Sequence, residues 1–555
     1  MGLANISCAA RVGEKKKAER RMTTDSLDAI IKEAEQFSLS SEDPVDFYTR
    51  PDPSSISELD TKLSKLPAND FGNAMRILQR GGTDLLWIDE SGWLGWSGKH
   101  WSLPDGGSLA VKKAHGMVKE MRGEVLALLS AGSFPNESDK DFEKRVNRFN
   151  AFRVKSGDIQ RVKGALDSAS PYLKRQVHEM DADPMLFNVQ NGTICLKSPP
   201  QEEDFDIVQI RDHSREDCMT KLADVEFNRS AECPHFMSFL ADILPDENVR
   251  DFLQVWLGYS ISGLICEQFV VMFHGGGSNG KSTFLDLLNG ILGDYAMTLP
   301  FASLLKDDKK RGAEATPDLA RLPGARFVTA AEPETGSQFS ESALKQLTGG
   351  EKITARHLNK GFFEFHPKFK LILSFNNKPQ IRGQDDGIWR RVLLVPFEQK
   401  FVTEDKLSEF PNAKIKDPQL PARLKEEASG ILNWLLDGWR IYAEKGLVIP
   451  EVVRVATAEY RQESNPVGEF ISSWTIRKTG GRVLASKLYA AYSVFCKEAG
   501  FSIWKQKTFG DRLTEQGIKR DKIGGYYHYL DLELTSEADA ATNGGGPIDN
   551  RQADY

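Results

Sequence analysis

The stretch that decides the fold is VMFHGGGSNGKSTFLDLLNGILGDY, residues 271–295. It begins with apolar residues typical of a buried strand, passes through three consecutive glycines and continues as an amphipathic helix. Gly275 and the run Gly280-Lys281-Ser282 have the spacing of a phosphate-binding loop. The stretch therefore predicts a strand, a glycine-rich loop and a helix that hold a nucleotide phosphate. A chance glycine turn is the alternative, and the flanking strand and helix argue against it.

The chemistry of this loop suits a nucleoside triphosphate with magnesium. Backbone N–H groups of a glycine-rich loop surround phosphate oxygens, and the helix N-terminus adds its dipole. Lys281 would neutralise the β- and γ-phosphates, and the Ser282 hydroxyl would ligate Mg²⁺. The predicted cofactors are therefore ATP and Mg²⁺. The residues predicted to bind them are Gly275, Gly276, Gly277, Ser278, Asn279, Gly280, Lys281, Ser282 and Thr283.

Polar residues follow two further apolar runs. The run ARFVTAAEPE reaches Glu332, with Glu334 two residues on. Glu332 is predicted to polarise the attacking water, and either acid is a candidate ligand of hydrated Mg²⁺. A surface glutamate after a strand is the alternative. The run FKLILSFNNKP reaches Asn376, which is predicted to sense the γ-phosphate, whereas Asn377 lies further into the turn.

An arginine pair, Arg390 and Arg391, precedes the apolar run VLLVPF. One interpretation is a salt bridge to Asp385 or Asp386. The other is an arginine finger that reaches the nucleotide of the next subunit. A finger in trans requires a heterologous interface, and such interfaces close into rings.

The overall composition is that of a globular protein and excludes few functions. The chain has 555 residues, of which 40% are hydrophobic and 27% charged, with a net charge of -7. This is globular composition without a global basic field, so nucleic-acid binding would come from local patches. Six cysteines without CxxC spacing indicate reduced thiols of a cytoplasmic protein, and the spacing of Cys218, Cys233 and His235 fits no zinc pattern. We expect no membrane span and no signal peptide, and Met22 is an alternative start.

Four motifs together resemble a superfamily 3 helicase. They are GGGSNGKST, VTAAEPE, LKQLTGGEKITARHLNKGFFEFHPKFKLILSFNNKP and GIWRRVLLVPF, in the family's order and spacing. More narrowly, the chain is similar over residues 60–535 to the helicase part of phage and plasmid primases and of the poxvirus primase-helicase. The resemblance implies an α/β, AAA+-like P-loop ATPase domain that works as a ring, expected to be a homo-hexamer. It also puts most weight on Arg391 as the finger, with Arg390 open.

The same resemblance implies two DNA contacts. Alternation in KITARHL and FFEFHPKF predicts a β-hairpin with Lys360 at its tip, and in the family this hairpin contacts single-stranded DNA in the ring channel. The candidates are Lys352, Arg356, His357 and Lys360. The alternative is a solvated hairpin edge with protective lysines. Lys345 is also in the family pattern, but its chemistry assigns it no role.

The C-terminal part resembles the winged-helix module of the family. Residues 501–525 hold six Lys/Arg against three acids. We expect KQKTFGDRLTEQG to face duplex DNA and KRDKIGGYYHY to form the wing, with Lys505, Lys507, Lys519 and Arg520 as candidate contacts. A winged helix that mediates only protein contacts is the alternative.

These patterns predict five segments. They are a mostly disordered arm (1–60), an α+β N-terminal region (61–235), the ATPase domain (236–455), a C-terminal winged-helix domain (456–535) and a disordered tail (536–555). Family members often carry a primase-polymerase or zinc domain ahead of the helicase, and residues 1–60 are too short for one. The acidic pair in residues 181–183 is interpreted as a turn. Priming is therefore not expected on this chain, and a separate primase or polymerase is a predicted partner.

The predicted function is an ATP-dependent DNA helicase of a phage, prophage or plasmid, acting in replication in the cytoplasm of a bacterial host. The alternative is an ATP-dependent origin-binding or DNA-packaging assembly factor without processive unwinding. A metabolic P-loop kinase is a weaker alternative, since no small-molecule site is legible.

Overall fold

The computed structural model describes residues 56–197, 208–305, 316–331, 339–358, 360–379, 381, 386–499, 501 and 503–543. The chain divides into two compact units, one that ends at Glu179 and one that begins at Met180. The predicted arm up to residue 55 and the predicted tail from residue 544 lie outside the described residues.

The first unit combines a small sheet with helices. Its elements are α1 Glu58–Leu63, α2 Asp70–Gly81, β1 Leu85–Ile88, β2 Gly92–Trp96, β3 Trp101–Ser102, α3 Leu103–Ala131, α4 Asp139–Lys155 and α5 Ile159–Ala169. The strands form an antiparallel sheet in the order β1-β2-β3, with Trp87 opposite Trp93. This tryptophan-rich stretch thus forms a three-stranded sheet, and helices follow it as far as Ala169.

The second unit holds the remaining elements. They are β4 Leu186–Val189, β5 Gly192–Leu196, β6 Val208–Arg211, α6 Pro234–Ile243, α7 Glu247–Ser260, β7 Val270–His274, α8 Lys281–Leu292, β8 Ala296–Thr298, α9 Pro317–Ala320, β9 Phe327–Ala331, α10 Glu341–Thr348, β10 Ile353–Arg356, β11 Phe362–Phe365, β12 Lys370–Phe375, α11 Asp386–Trp389, β13 Val392–Pro396, β14 Phe401–Val402, β15 Lys414–Ile415, α12 Leu420–Glu426, α13 Ala428–Lys445, α14 Glu451–Glu463, α15 Pro466–Trp474, β16 Thr475–Leu484, α16 Ala485–Ala499, α17 Gln506–Glu515, β17 Arg520–Ile523, β18 Tyr526–Leu534 and α18 Ser536–Asn543.

A five-stranded parallel sheet forms the centre of this unit, in the order β13-β7-β12-β9-β8. The strand before the glycines, β7, lies between β13 and β12. Parallel strands need crossover connections, and near-continuous apolar runs allow burial on both faces. This confirms the predicted parallel α/β domain. The carboxyl ends of all five strands meet at one edge, so the residues that follow them are brought together there.

The small sheet β4–β6 packs into the core of the same unit. Phe187 stacks on Tyr295 with 4.5 Å between ring centroids, and the Tyr295 hydroxyl accepts a hydrogen bond of 2.9 Å from the backbone N–H of Asn188. Buried Arg326 donates to the Pro184 carbonyl at 2.7 Å. The predicted region 61–235 is therefore divided at residue 179, because β4 and β5 bury their apolar residues against the parallel sheet.

The acidic pair of residues 181–183 forms a turn, as predicted. Asp181 is buried, has a φ of +50° and accepts hydrogen bonds from the backbone N–H and hydroxyl of Thr220, at 2.7 and 2.6 Å. Its carboxylate oxygens are thus used to hold the turn.

The C-terminal module comprises residues 466–534, with α15, α16 and α17 packed on an antiparallel sheet in the order β16-β18-β17. Val467, Phe470 and Phe509 are among its buried residues. The hairpin β17–β18 lies in the segment predicted to form the wing. Strand β16 was not predicted, since Gly480 and Gly481 interrupt it and its register shifts there.

The predicted tail is wrong at its start. Residues Ser536–Asn543 form α18, whose Ala538 is buried and donates its N–H to the Thr535 hydroxyl at 3.2 Å. A capped first turn and a buried alanine stabilise this helix against the C-terminal module.

Five described cysteines, Cys195, Cys218, Cys233, Cys266 and Cys496, are free thiols. Among the helices that the structure describes, none has the length and apolar character needed to cross a membrane.

Candidate nucleotide-binding site

The glycine loop, residues 275–280, connects β7 to α8 at the carboxyl edge of the parallel sheet. A Cβ on Gly275 would lie 2.2 Å from the Phe397 carbonyl oxygen, so a side chain does not fit there. Gly280 has a φ of +85° and precedes α8 as its N-cap residue. The backbone N–H of Phe401 donates to the Ser278 carbonyl at 2.7 Å. Glycines are therefore required by close backbone approach at one end and a left-handed conformation at the other.

Among the described residues, no side chain caps helix α8 by accepting a hydrogen bond from its first turn. The first N–H groups of such a helix are left without an intrahelical partner and carry the positive end of the helix dipole. An anion at this position would satisfy them.

The side chain of Lys281 joins the glycine loop to a neighbouring strand. Lys281 is buried, and its Nζ donates to the Gly275 carbonyl at 2.7 Å and to Asn279 Oδ1 at 3.1 Å. It also donates to Asn376 Oδ1 at 3.2 Å. Asn376 follows β12, the strand beside β7. The structure thus brings together two of the predicted catalytic residues, which lie 95 positions apart in the sequence.

A cavity of about 850 Å³ opens in front of the glycine loop. Its walls include Lys281, Ser282, Thr283, Asn376 and Ala331. Ala331 ends β9 and immediately precedes Glu332. Glu332 and Glu334 themselves lie outside the described residues.

The remaining lining residues of this cavity were not predicted from the sequence. Some are apolar and others charged or proline: Phe239, Phe401, Ile415, Pro418, Leu420, Pro421, Asp242, Asp417 and Arg423. Asp242 pairs with Lys414, and Asp417 pairs with Arg423. These residues come from α6, β14 and β15 and from α12 with the segment before it, so only the tertiary fold brings them to the loop.

Glu427 holds one wall of the cavity in place. Its carboxylate accepts the backbone N–H groups of His235 and Phe236, at 3.0 and 2.8 Å. A carboxylate at a helix N-terminus satisfies free N–H groups and interacts favourably with the dipole. Glu427 therefore caps α6 from a distant part of the sequence.

The two arginines after α11 differ in their surroundings. Arg391 donates from Nη1 to the Thr348 hydroxyl and from Nε to the Gly387 carbonyl, each at 3.2 Å. Burial, followed by the nearby charge of Arg390, lowers the pKa of Arg391. Arg390 is exposed, and neither arginine is among the described residues that line the cavity.

The alternative salt bridge to Asp386 is not formed by either arginine, because Asp386 pairs with Arg461 at 2.8 Å. Asp385 lies outside the described residues.

The predicted hairpin is present as β10 and β11, which pair antiparallel with Arg356 opposite Phe362. Lys360 is exposed in the connecting loop. Leu358 and Phe362 are 72% and 54% exposed beside it. Sequence alternation did not single out these two apolar residues, which flank the tip of the hairpin.

The other hairpin candidates are engaged within the chain. Lys352 pairs with Glu364 at 3.4 Å, and Arg356 lies over the Phe362 ring at 5.1 Å. His357 stacks on Phe363, with 5.5 Å between ring centroids. Lys360 is therefore the best placed of the four predicted contacts.

The basic residues of the C-terminal module are exposed as the sequence predicts. Lys505 precedes α17, Lys507 lies in its first turn, and Lys519 and Arg520 lie at the start of β17. The guanidinium of Arg520 lies 4.5 Å from the centroid of the Tyr527 ring. Tyr526 and Tyr527 are 69% and 50% exposed, and the sequence pattern did not select them.

Three segments of the chain match known protein families. Residues 74–245 match the D5 N-terminal-like family, and residues 462–539 match the poxvirus D5 protein-like family. Residues 273–391, which contain the glycine loop, match a family of unknown function.

Curated relatives come from large DNA viruses. The chain is 30% identical over 312 residues to "Putative helicase L207/L206" of Acanthamoeba polyphaga mimivirus, which covers 54% of this chain and 32% of that protein. It is 24% identical over 303 residues to "Putative primase C962R" of African swine fever virus, which covers 53% of this chain and 30% of that protein. The chain thus spans about a third of the length of these relatives.

Among solved structures, the apo C-terminal region of NrS-1 is 14% identical, with a TM-score of 0.35 over 61% of this chain and 84% of that one. The D5-type segments on both sides of the glycine loop, together with the viral helicase and primase relatives, support a relationship of this chain to the D5-like primase-helicases.

Proposed function

We propose that the chain is an ATP-dependent DNA helicase of superfamily 3 that assembles into a ring, expected to be a hexamer, and unwinds DNA during replication. The observation that carries this proposal is the contact between Lys281 and Asn376 at the edge of the parallel sheet. A lysine at a helix N-terminus and a polar sensor on the adjacent strand are the parts that a phosphate-binding loop needs to detect a γ-phosphate.

ATP would bind with its phosphates in the glycine loop and its nucleoside in the rest of the cavity, beside β15 and α12. The Lys281 ammonium would exchange its bonds to Gly275 and Asn376 for phosphate oxygens. Ser282 and Glu332 would hold the Mg²⁺ that such phosphates carry. The apolar side chains of Ile415 and Leu420 would line the space for the base.

Hydrolysis would be completed by an arginine from the neighbouring subunit. Arg390 is the better candidate, because it is exposed while Arg391 is bonded to Thr348 and Gly387 of its own chain. Each subunit would then depend on its neighbour in the ring for hydrolysis of its own ATP.

DNA would meet the chain at two places. Single-stranded DNA would contact Lys360 and the apolar residues beside it in the ring channel. The C-terminal module has the helix and hairpin arrangement of a winged helix, and Lys507 and Arg520 would contact duplex DNA. The phage or plasmid setting, the bacterial cytoplasm and a separate primase or polymerase stay predictions.

Glu332→Gln is expected to bind ATP but hydrolyse it very slowly, because an amide cannot take a proton from water. The measurement pairs the Kd of an ATP analogue with the steady-state hydrolysis rate of the variant. A comparable loss of binding affinity would instead indicate a structural role for this residue.

Lys360→Ala is expected to leave basal hydrolysis intact and to weaken its stimulation by single-stranded DNA. Removal of one phosphate contact should reduce the slope of log Kd against log salt concentration. For single-stranded DNA the reduction should be roughly 0.7 for each subunit that contacts the strand. Fluorescence anisotropy at several salt concentrations measures this slope. Lys445→Ala, an exposed lysine at the end of α13, is the matched control. An unchanged slope in Lys360→Ala would favour the solvated-edge interpretation.

A further inference from the structure

Helix α14 contacts the loop that carries Asn376. The Tyr460 hydroxyl, on a side chain only 1% exposed, donates to the Pro379 carbonyl. Glu463 receives the Lys378 ammonium with both carboxylate oxygens, at 2.8 and 2.9 Å. Two consecutive residues of the Asn376 loop are therefore bonded to the last turn of α14.

The same helix contacts two other elements that carry the site. Arg461 pairs with Asp386 at the start of α11, and Tyr460 packs edge-on against Trp389, with 5.3 Å between ring centroids. Arg390 follows directly after Trp389. The Thr457 hydroxyl accepts the backbone N–H of Leu394 in β13, at 2.9 Å. Helix α14 thus contacts both the sensor loop and the turn that carries the arginine pair.

The connection from α14 to the C-terminal module is short. α14 ends at Glu463 and α15 begins at Pro466, so two residues separate them. The Asn465 side chain caps α15 by accepting the Gly468 N–H at 3.1 Å. Val467 and Phe470 of α15 are fully buried in the core of the module. A displacement of α14 would therefore move the module directly, without a flexible linker to absorb it.

We propose that α14 couples nucleotide occupancy of the glycine loop to duplex binding by the C-terminal module, with Tyr460, Lys378 and Glu463 as positioning residues. This rests on the proposed function. A nucleotide that takes the Lys281 ammonium from Asn376 would release the sensor loop, and Lys378 and Pro379 would shift α14 with it. Such coupling is reciprocal: ATP changes duplex affinity by the same factor by which duplex changes ATP affinity.

The test measures this factor in the full-length chain by anisotropy with a labelled blunt duplex. The duplex has no free single strand for the β10–β11 hairpin. Its Kd is determined with and without a non-hydrolysable ATP analogue and Mg²⁺, and the Kd of the analogue is determined with and without duplex. In the wild type both ratios should differ from one by about fivefold or more, and they should agree.

Three substitutions separate coupling from folding. Tyr460→Phe removes the hydroxyl but keeps the ring against Trp389. Glu463→Gln removes the charge that holds Lys378, at a half-exposed position that a folded chain tolerates. Glu459→Gln, an exposed position on the same helix, is the matched control. We expect the double variant Tyr460→Phe with Glu463→Gln to bring both ratios to within about twofold of one, while the control keeps the wild-type ratios.

Several outcomes would overturn the proposal. Ratios of one in the wild type, or wild-type ratios in the double variant, would each show that α14 does not transmit occupancy. If the double variant has a much lower melting temperature than the wild type, the single variant Glu463→Gln is used instead. Its two Kd ratios should still move towards one, and unchanged ratios would contradict the proposal. A wild-type chain that binds no ATP analogue would instead contradict the proposed nucleotide site, which distinguishes the two failures.

Discussion

Lys281→Ala is expected to lower the rate of ATP hydrolysis by roughly 10²–10³-fold, the size seen when one preorganised charge-stabilising group is lost from an active site. The buried Lys281 ammonium lies beside the glycine loop at the N-terminus of α8. Without it, charge that develops on the phosphates in the transition state meets only amide dipoles. The steady-state hydrolysis rate, measured with the Kd of an ATP analogue, checks this.

Asn376→Ala provides the comparison for Lys281→Ala. It removes one acceptor from the ammonium but leaves the bonds to Gly275 and Asn279. We expect hydrolysis to fall less than in Lys281→Ala and the melting temperature to stay near that of the wild type. Hydrolysis at the wild-type rate by a folded Lys281→Ala chain would show that the nucleotide site is wrongly assigned.

Arg390→Ala is expected to bind ATP normally and to hydrolyse it at least about 10³-fold more slowly, the effect of removing an arginine finger. A finger acts on the nucleotide of another subunit, so its loss and the loss of Lys281 damage different halves of an interface. Mixing Arg390→Ala with Lys281→Ala should therefore restore part of the activity that each lacks alone. The restored hydrolysis rate of mixtures at varied ratios measures this.

Arg391→Ala is the matched variant, since the family resemblance favours Arg391 and the contacts of the structure favour Arg390. Loss of Arg391 removes the bonds to Thr348 and Gly387, so we expect a lower melting temperature and no complementation with Lys281→Ala. Complementation by Arg391→Ala and not by Arg390→Ala would reverse the assignment. Mixtures that co-assemble but never recover would mean that the arginines act within one chain.

Local sequence predicted the parts of the site that lie next to a strand end. The glycine loop, Asn376 after β12 and the β10–β11 hairpin each follow from periodicity and turn residues over a few positions. Their meeting point follows from the parallel sheet, because parallel strands end at a common edge.

Contacts between distant segments could not be predicted in this way. The boundary at residue 179 depends on Phe187 packing against Tyr295, more than 100 positions later. The Arg391 side chain is engaged by Thr348, 43 positions earlier. The rest of the cavity lining includes Ile415 and Leu420, which adjoin none of the predicted motifs. The hydrophobic periodicity and turn residues of one segment do not indicate which distant segment it packs against.

Strand displacement on a forked DNA duplex tests the central claim most directly. The full-length chain is incubated with Mg²⁺, ATP and a fork labelled on the displaced strand, and with a non-hydrolysable analogue in parallel. We predict release of the labelled strand with ATP only, by the wild type and not by Lys281→Ala. A chain that hydrolyses ATP and binds the fork but releases no strand would contradict the helicase assignment and favour an ATP-dependent assembly factor.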